Sequence, residues 1–133
     1  MNKKIDHIGI AVKDLNSTQK IFETIFNTKA SKVEIVESEN IKTVFLKAGT
    51  SKIELLEDLN KDGVINNFIE KRGPGIHHLA IEVNNIKKEI KRLQAEGFSI
   101  INSTPSKGAN GKLISFLHPK ETAGVLIEIC QKK

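Results

Sequence analysis

Two histidines and two glutamates occupy matching places in the two halves of the chain, and these residue types could bind a divalent metal. His7 and His78 each stand before a similar apolar segment, and Glu54 and Glu128 each lie between aliphatic residues. Two neutral imidazoles and two carboxylates supply four protein ligands, and an octahedral ion would keep positions open for substrate or water. Mixed nitrogen and oxygen ligation suits cobalt, manganese, nickel, iron or zinc better than calcium or magnesium.

The alternation of side chains along a strand predicts that these four side chains point away from the face that packs on the helices. His7 shares its predicted face with Gly9 and Ala11, whose small side chains leave room for a ligand. By the same alternation Glu128 points away from a row of aliphatic side chains. An ionised carboxylate on a packed face costs several kcal/mol unless a cation or strong donors compensate it, so a shared metal would explain both glutamates.

The surrounding pattern predicts two tandem βαβββ modules and an α+β fold. The first module has a strand near 5–12, a helix capped by Asp14 or Asn16, and strands near 31–37, 42–48 and 51–56. The second has a strand at 76–83, a helix at about 86–96 followed by Gly97, and strands near 98–102, 112–118 and 124–130. We expect a single domain over residues 1–133, with modules 4–58 and 75–131 joined by a short helix and a turn.

Composition excludes several other classes of protein. The 133 residues are 38% hydrophobic and 28% charged, and no apolar stretch is long enough to cross a bilayer. Cys130 is the only cysteine, so no intrachain disulfide can form, and with no targeting signal we expect a cytoplasmic protein. The net charge of +5 comes from lysines dispersed along the chain, which contains no Trp and no Tyr. This pattern argues against nucleic-acid binding and favours an anionic small molecule as the ligand.

Other conspicuous residues have simpler interpretations. His77 falls on the aliphatic face and is expected to be structural, whereas His118 is expected to serve the turn after the seventh strand, with a contact to substrate as the alternative. The segment Lys107–Lys112 is predicted to be a hairpin loop, and its use for anion binding is a weak alternative because no phosphate-loop pattern is present.

Five segments together resemble the methylmalonyl-CoA epimerase branch of the vicinal-oxygen-chelate family. They are Asp6–Leu15, Lys52–Leu56, Gly75–His78, Phe116–Lys120 and Gly124–Glu128. The resemblance implies a glyoxalase-like fold, an open eight-stranded barrel-like sheet around one divalent ion, usually in a homodimer, and we expect the ion to be Co²⁺. It also implies that the metal ligands are His7, Glu54, His78 and Glu128.

The activity implied by the resemblance is metal-dependent epimerisation of (2R)- and (2S)-methylmalonyl-CoA. A proton α to the thioester would be removed through a metal-stabilised enolate, with Glu128 and Glu54 as candidate bases. Some relatives carry a further glutamate where this chain has Thr43, so the identity of the second base stays open. The alternatives are a glyoxalase I-like lactoylglutathione lyase and a metal-free ligand-sequestering protein of the same fold.

Overall fold

A computed structural model describes residues 3–132 and divides the chain into two compact units. One unit is His7–His77, and the other combines the N-terminal segment as far as Asp6 with the residues from His78 onward. Within the described residues no helix has both the length and the apolarity needed to span a membrane.

The first half of the chain forms one βαβββ module followed by a helix. Its elements are β1 (Lys4–Ala11), α1 (Leu15–Phe26), β2 (Glu34–Val36), β3 (Ile41–Ala48), β4 (Ser51–Asp58) and α2 (Val64–Arg72). The strand order is β2-β3-β4-β1, in which β1 runs parallel to β4 and the other pairs are antiparallel.

The second half repeats this topology. Its elements are β5 (Gly75–Glu82), α3 (Ile86–Ala95), β6 (Ser106–Lys107), β7 (Leu113–Phe116) and β8 (Ile127–Gln131). The strand order β5-β8-β7-β6 again places the first strand parallel to the last. The predicted α+β class, with eight strands in two βαβββ modules, is confirmed.

In each module the start of the helix is stabilised by an N-cap side chain and by a hydrogen bond to the last strand. Asp14 and Asn85 are the N-caps of α1 and α3, and each side chain accepts a hydrogen bond from a backbone N–H of the first turn. The first residue of α1 donates its N–H to Glu57 at 2.7 Å, and the first residue of α3 donates to Gln131 at 2.8 Å. Both helices are therefore held against the last strand of their own module.

The helices cover the aliphatic faces of the strands, as the alternation predicts. The core of the first module consists of Val12, Leu15, Val44, Leu46, Ile53 and Leu55. The core of the second consists of Val83, Ile86, Ile90, Leu117 and Ile129. Because these side chains occupy the helix-facing side, the opposite strand face is left for the histidines and glutamates.

The predicted strand at 98–102 is wrong. Ile100 forms only an isolated bridge with Leu117, and the sixth strand lies later, at Ser106–Lys107. The reason is Asn102, whose side chain accepts a hydrogen bond from the N–H of Phe116 at 2.9 Å and donates to the carbonyl of Ile114 at 3.1 Å. The side chain of Asn102 thus takes up backbone groups of Phe116 and Ile114 that a paired strand would otherwise bond.

The last strand also begins later than predicted, at Ile127 instead of near 124. Gly124 has a φ of +84° and donates its N–H to the carbonyl of Pro119 at 2.8 Å. Val125 donates its N–H to the carbonyl of Thr122 at 3.1 Å. These bonds close a turn, so the residues before Ile127 cannot enter the strand.

Candidate metal centre

The first buried imidazole and carboxylate pair lies on β1 and β4. The parallel register places Gly9 opposite Glu54, and the side chain of Glu54 extends past this glycine toward His7. His7 Nε2 is 3.2 Å from Glu54 Oε1, and the two residues are only 3% and 4% exposed. The ring of Phe45 meets the His7 imidazole in an edge-on contact, with 5.6 Å between centroids.

The second carboxylate oxygen of Glu54 has a partner on β3. Thr43, which is fully buried, places its Oγ1 2.9 Å from Glu54 Oε2. The same hydroxyl lies 2.9 Å from the carbonyl oxygen of Leu55. Sequence reasoning noticed Thr43 only as a residue that replaces a glutamate of some relatives and missed this contact.

The second pair is built in the same way on β5 and β8. The parallel register places Ala80 opposite Glu128, and His78 Nε2 is 3.4 Å from Glu128 Oε1. His78 is 3% exposed and Glu128 4% exposed. Phe116 meets the His78 ring edge-on, as Phe45 meets His7, so the two modules form equivalent pairs on equivalent strands.

The donor set of these pairs fits a divalent transition ion. Glutamate oxygens and imidazole nitrogens are suitable ligands for such ions, and burial makes compensation of the negative charge necessary. By donor type and burial, the His7 and Glu54 pair offers one nitrogen and one oxygen ligand to such an ion, and His78 offers a further buried nitrogen in the other unit. Glu128 offers the same carboxylate chemistry beside His78.

A buried ion pair that sequence reasoning missed joins the start of β1 to the loop before β7. Lys112 Nζ donates to Asp6 Oδ2 at 2.7 Å, and the two residues are 6% and 2% exposed. Burial lowers the pKa of Lys112, but the hydrogen bond and charge of Asp6, aided by the charge of Glu128, raise it above its ordinary value overall. Lys112 is therefore charged at neutral pH.

The loop that carries Lys112 is tightly folded. Ala109–Gly111 forms a 3₁₀ turn, and Gly108 donates its N–H to the carbonyl of Lys112 at 2.8 Å. A Cβ atom on Gly108 would lie 3.0 Å from a methyl carbon of Ile114, so a larger residue here would require that side chain to shift. The predicted hairpin loop is thus an ordered turn between β6 and β7.

The remaining histidines take the roles expected of them. His77 is half-buried and contacts Phe68 edge-on, with 5.0 Å between ring centroids. His118 is exposed and begins the turn after β7, where its Nδ1 accepts the N–H of Lys120 at 3.3 Å. Neither belongs to the imidazole and carboxylate pairs described above.

Comparison with known proteins identifies the family. The sequence model of the Glyoxalase/Bleomycin resistance protein/Dioxygenase superfamily matches residues 6–116. The chain belongs to this superfamily. Within it, the mitochondrial methylmalonyl-CoA epimerase of Dictyostelium discoideum is 37% identical over 130 residues, which cover 97% of this chain and 78% of that relative. The predicted membership of an epimerase, and hence isomerase, family is confirmed.

Solved structures of this superfamily have the same fold. Methylmalonyl-CoA epimerase from Mycobacterium tuberculosis is 32% identical, with a TM-score of 0.92 over 97% of this chain and 87% of that one. A variant of the Streptomyces coelicolor methylmalonyl-CoA epimerase, in complex with 2-nitronate-propionyl-CoA, is 29% identical. Its TM-score is 0.93, over 99% of this chain and 96% of that one. The predicted glyoxalase-like fold is confirmed.

Proposed function

We propose that this protein is a metal-dependent epimerase that interconverts (2R)- and (2S)-methylmalonyl-CoA. The observation that carries the proposal is the buried histidine and glutamate pair repeated at equivalent positions of both modules. The relatives named methylmalonyl-CoA epimerase support the reaction, and the complex of one of them with a CoA analogue supports the class of substrate.

We propose His7, Glu54, His78 and Glu128 as the ligands of one divalent ion. Two carboxylates balance the charge of the ion, and two neutral imidazoles complete the set. The near-complete burial of all four residues supports this assignment, because ionised glutamates in such surroundings need a cation or strong donors. When bound, the ion would supply Lewis-acid stabilisation of negative charge on the thioester oxygen.

The protein's own groups would move the proton. Inversion requires removal of the proton at C2, next to the thioester carbonyl, and return of a proton to the opposite side of the same carbon. Glu128 and Glu54 are proposed as the two bases, one for each side. In each direction the ionised carboxylate on one side would accept the C2 proton, and the group on the other side, which must be protonated at that stage, would deliver its proton to the same carbon and become ionised. Thr43 has no acidic group that could serve as a further base.

Cobalt is the proposed ion, with manganese, nickel, iron and zinc as alternatives of suitable ligand preference. The homodimer, implied by the family resemblance, and the cytoplasmic location, expected from the sequence, stay predictions. The organisation of residues 1–133 as a single domain also stays a prediction.

Isotope exchange tests the reaction directly. Protein loaded with Co²⁺ is mixed with methylmalonyl-CoA in D₂O, and the C2 proton signal is followed by NMR. We expect enzyme-dependent loss of the signal and convergence of either pure epimer to the mixture. The absence of exchange, combined with turnover of the methylglyoxal and glutathione hemithioacetal, would refute the epimerase and favour the lyase.

A pair of adjacent histidine variants tests the ligand assignment. His78→Ala should abolish tight metal retention and turnover, because no other residue can replace the lost nitrogen. His77→Ala is the matched control, since the His77 ring packs edge-on against Phe68 and its loss should keep the metal stoichiometry. Equal metal content in both variants, measured after gel filtration, would remove His78 from the ligand set.

A further inference from the structure

We propose that Thr43 is a positioning residue that fixes the Glu54 carboxylate and restricts it to binding metal through one oxygen, Oε1. The inference rests on the proposed function, because it takes Glu54 to be a metal ligand. It assigns a specific role to a hydroxyl that lies where some relatives carry an acidic side chain.

Strand register explains why this hydroxyl reaches Glu54. In the antiparallel pairing of β3 with β4, Phe45 lies opposite Glu54 and Thr43 lies opposite Leu56. Thr43 is thus a diagonal neighbour of Glu54 on the same face, a position from which a short side chain can reach a carboxylate that leans toward it. The resulting separation between Thr43 Oγ1 and Glu54 Oε2 is 2.9 Å.

The direction of the hydrogen bond follows from the chemistry of the groups. Thr43 has one hydroxyl hydrogen and two acceptors within reach, Glu54 Oε2 and the carbonyl oxygen of Leu55, each at 2.9 Å. An ionised carboxylate can only accept, and a hydrogen bond to an ionised acceptor is roughly twice as strong as one between neutral groups. The hydroxyl therefore donates to ionised Glu54 in preference to Leu55.

The two oxygens of Glu54 consequently have different tasks. Oε2 accepts from Thr43, whereas Oε1 lies 3.2 Å from His7 Nε2, beside the other proposed ligand of the same module. Glutamate can bind metals through one or both of its oxygens. With Oε2 held by a buried hydroxyl, one-oxygen binding through Oε1 is favoured, and the carboxylate cannot rotate without loss of that hydrogen bond.

Removal of the hydroxyl at constant shape tests this role. Thr43→Val keeps the branched side chain and removes the donor, whereas Thr43→Ser keeps the donor. Co²⁺ affinity of the full-length protein is measured by titration, and the visible absorption spectrum of the bound Co²⁺ reports the coordination of the ion. We expect Thr43→Val to bind Co²⁺ about 10- to 100-fold more weakly with an altered spectrum, because partners of metal ligands typically contribute that much.

The controls separate this role from a general effect on folding. Thr24→Val makes the same change at an exposed position of α1 and should leave affinity and spectrum unchanged. Thr43→Ser should retain the wild-type spectrum. If Thr43→Val does not fold, as judged by circular dichroism of the metal-free protein, Thr43→Ala gives the same comparison with less steric demand.

The possible failures are distinguishable. Wild-type protein that binds Co²⁺ and epimerises its substrate, together with Thr43→Val and Thr43→Ala variants of unchanged affinity and spectrum, would overturn the role of Thr43 alone. Wild-type protein that binds no Co²⁺ would contradict the proposed metal site, and the role of Thr43 with it.

Discussion

Replacing Lys112 with methionine should reveal a large electrostatic contribution to stability. At an effective dielectric constant of about 20, unit charges 2.7 Å apart attract by roughly 6 kcal/mol, and desolvation of both groups offsets part of this. Removal of one member of such a buried pair typically costs about 3–5 kcal/mol. For a chain of this size we expect Lys112→Met to lower the melting temperature by roughly 10–20 °C.

A double-mutant cycle separates the pair from its surroundings. Asp6→Leu combined with Lys112→Met should recover most of the lost free energy of unfolding in urea, because two apolar groups leave no uncompensated charge. Lys132→Met is the matched control. Lys132 forms an ion pair with Glu82, and its side chain is 59% exposed, so its loss should cost less than about 1 kcal/mol.

The pH dependence supplies a second check with a definite sign. The pKa of Lys112 in the folded protein lies above its ordinary value of 10.5, since Asp6 outweighs the effect of burial. The contribution of the ion pair is therefore complete below about pH 10 and is lost as the pH rises through the folded pKa. Equal costs for Lys112→Met and Lys132→Met near neutral pH, or a cost that grows at alkaline pH, would refute this reasoning.

Two further predictions concern buried groups outside the proposed ligands. Burial, with the nearby charges of Asp6 and Glu128, raises the pKa of the Cys130 thiol from an ordinary 9.0 to about 12. Because the thiolate is the reactive form, native protein at pH 8 should react with a disulfide reagent roughly a thousandfold more slowly than urea-unfolded protein. Equal rates would contradict the burial of the thiol. Asp58→Ala should lower the free energy of unfolding by about 1 kcal/mol, because the Asp58 carboxylate accepts the N–H of Asn66 in the first turn of α2 and acts as its cap. The exposed Asp62→Ala control should unfold at the wild-type urea concentration, and an identical midpoint for both variants would exclude the capping role.

Features that depend on local chemistry or on strand periodicity were predictable from the sequence. Asp14 caps α1 as expected, because a short polar side chain before an amphipathic segment has a specific use there. The faces of the strands were also predictable, since alternation places His7 with Gly9 and Glu128 away from the helix-facing side. The repeat then allowed the two histidines and two glutamates to be grouped by sequence alone.

Features that depend on side chains distant in sequence were not predictable. Asp6 and Lys112 are charged residues of types that are usually exposed, and no periodic pattern relates a strand residue to a loop residue so far away. The predicted sixth strand at 98–102 was wrong because the side chain of Asn102 competes for backbone hydrogen bonds of β7. At Thr43 the sequence showed only that a glutamate of some relatives is missing. The contact of Thr43 with Glu54 was not predictable, because it depends on the pairing of β3 with β4.

Asp6 belongs to the same compact unit as the residues from His78 onward, although it is far from them in the sequence. This affects the order in which contacts can form while the chain is synthesised. The bond between Leu15 and Glu57 can form once the first half of the chain has left the ribosome. Asp6 and Lys112 are separated by 106 residues of sequence, so their ion pair can form only after the segment that carries Lys112 has been synthesised. The order of synthesis therefore allows the Leu15–Glu57 bond to form before the Asp6–Lys112 ion pair.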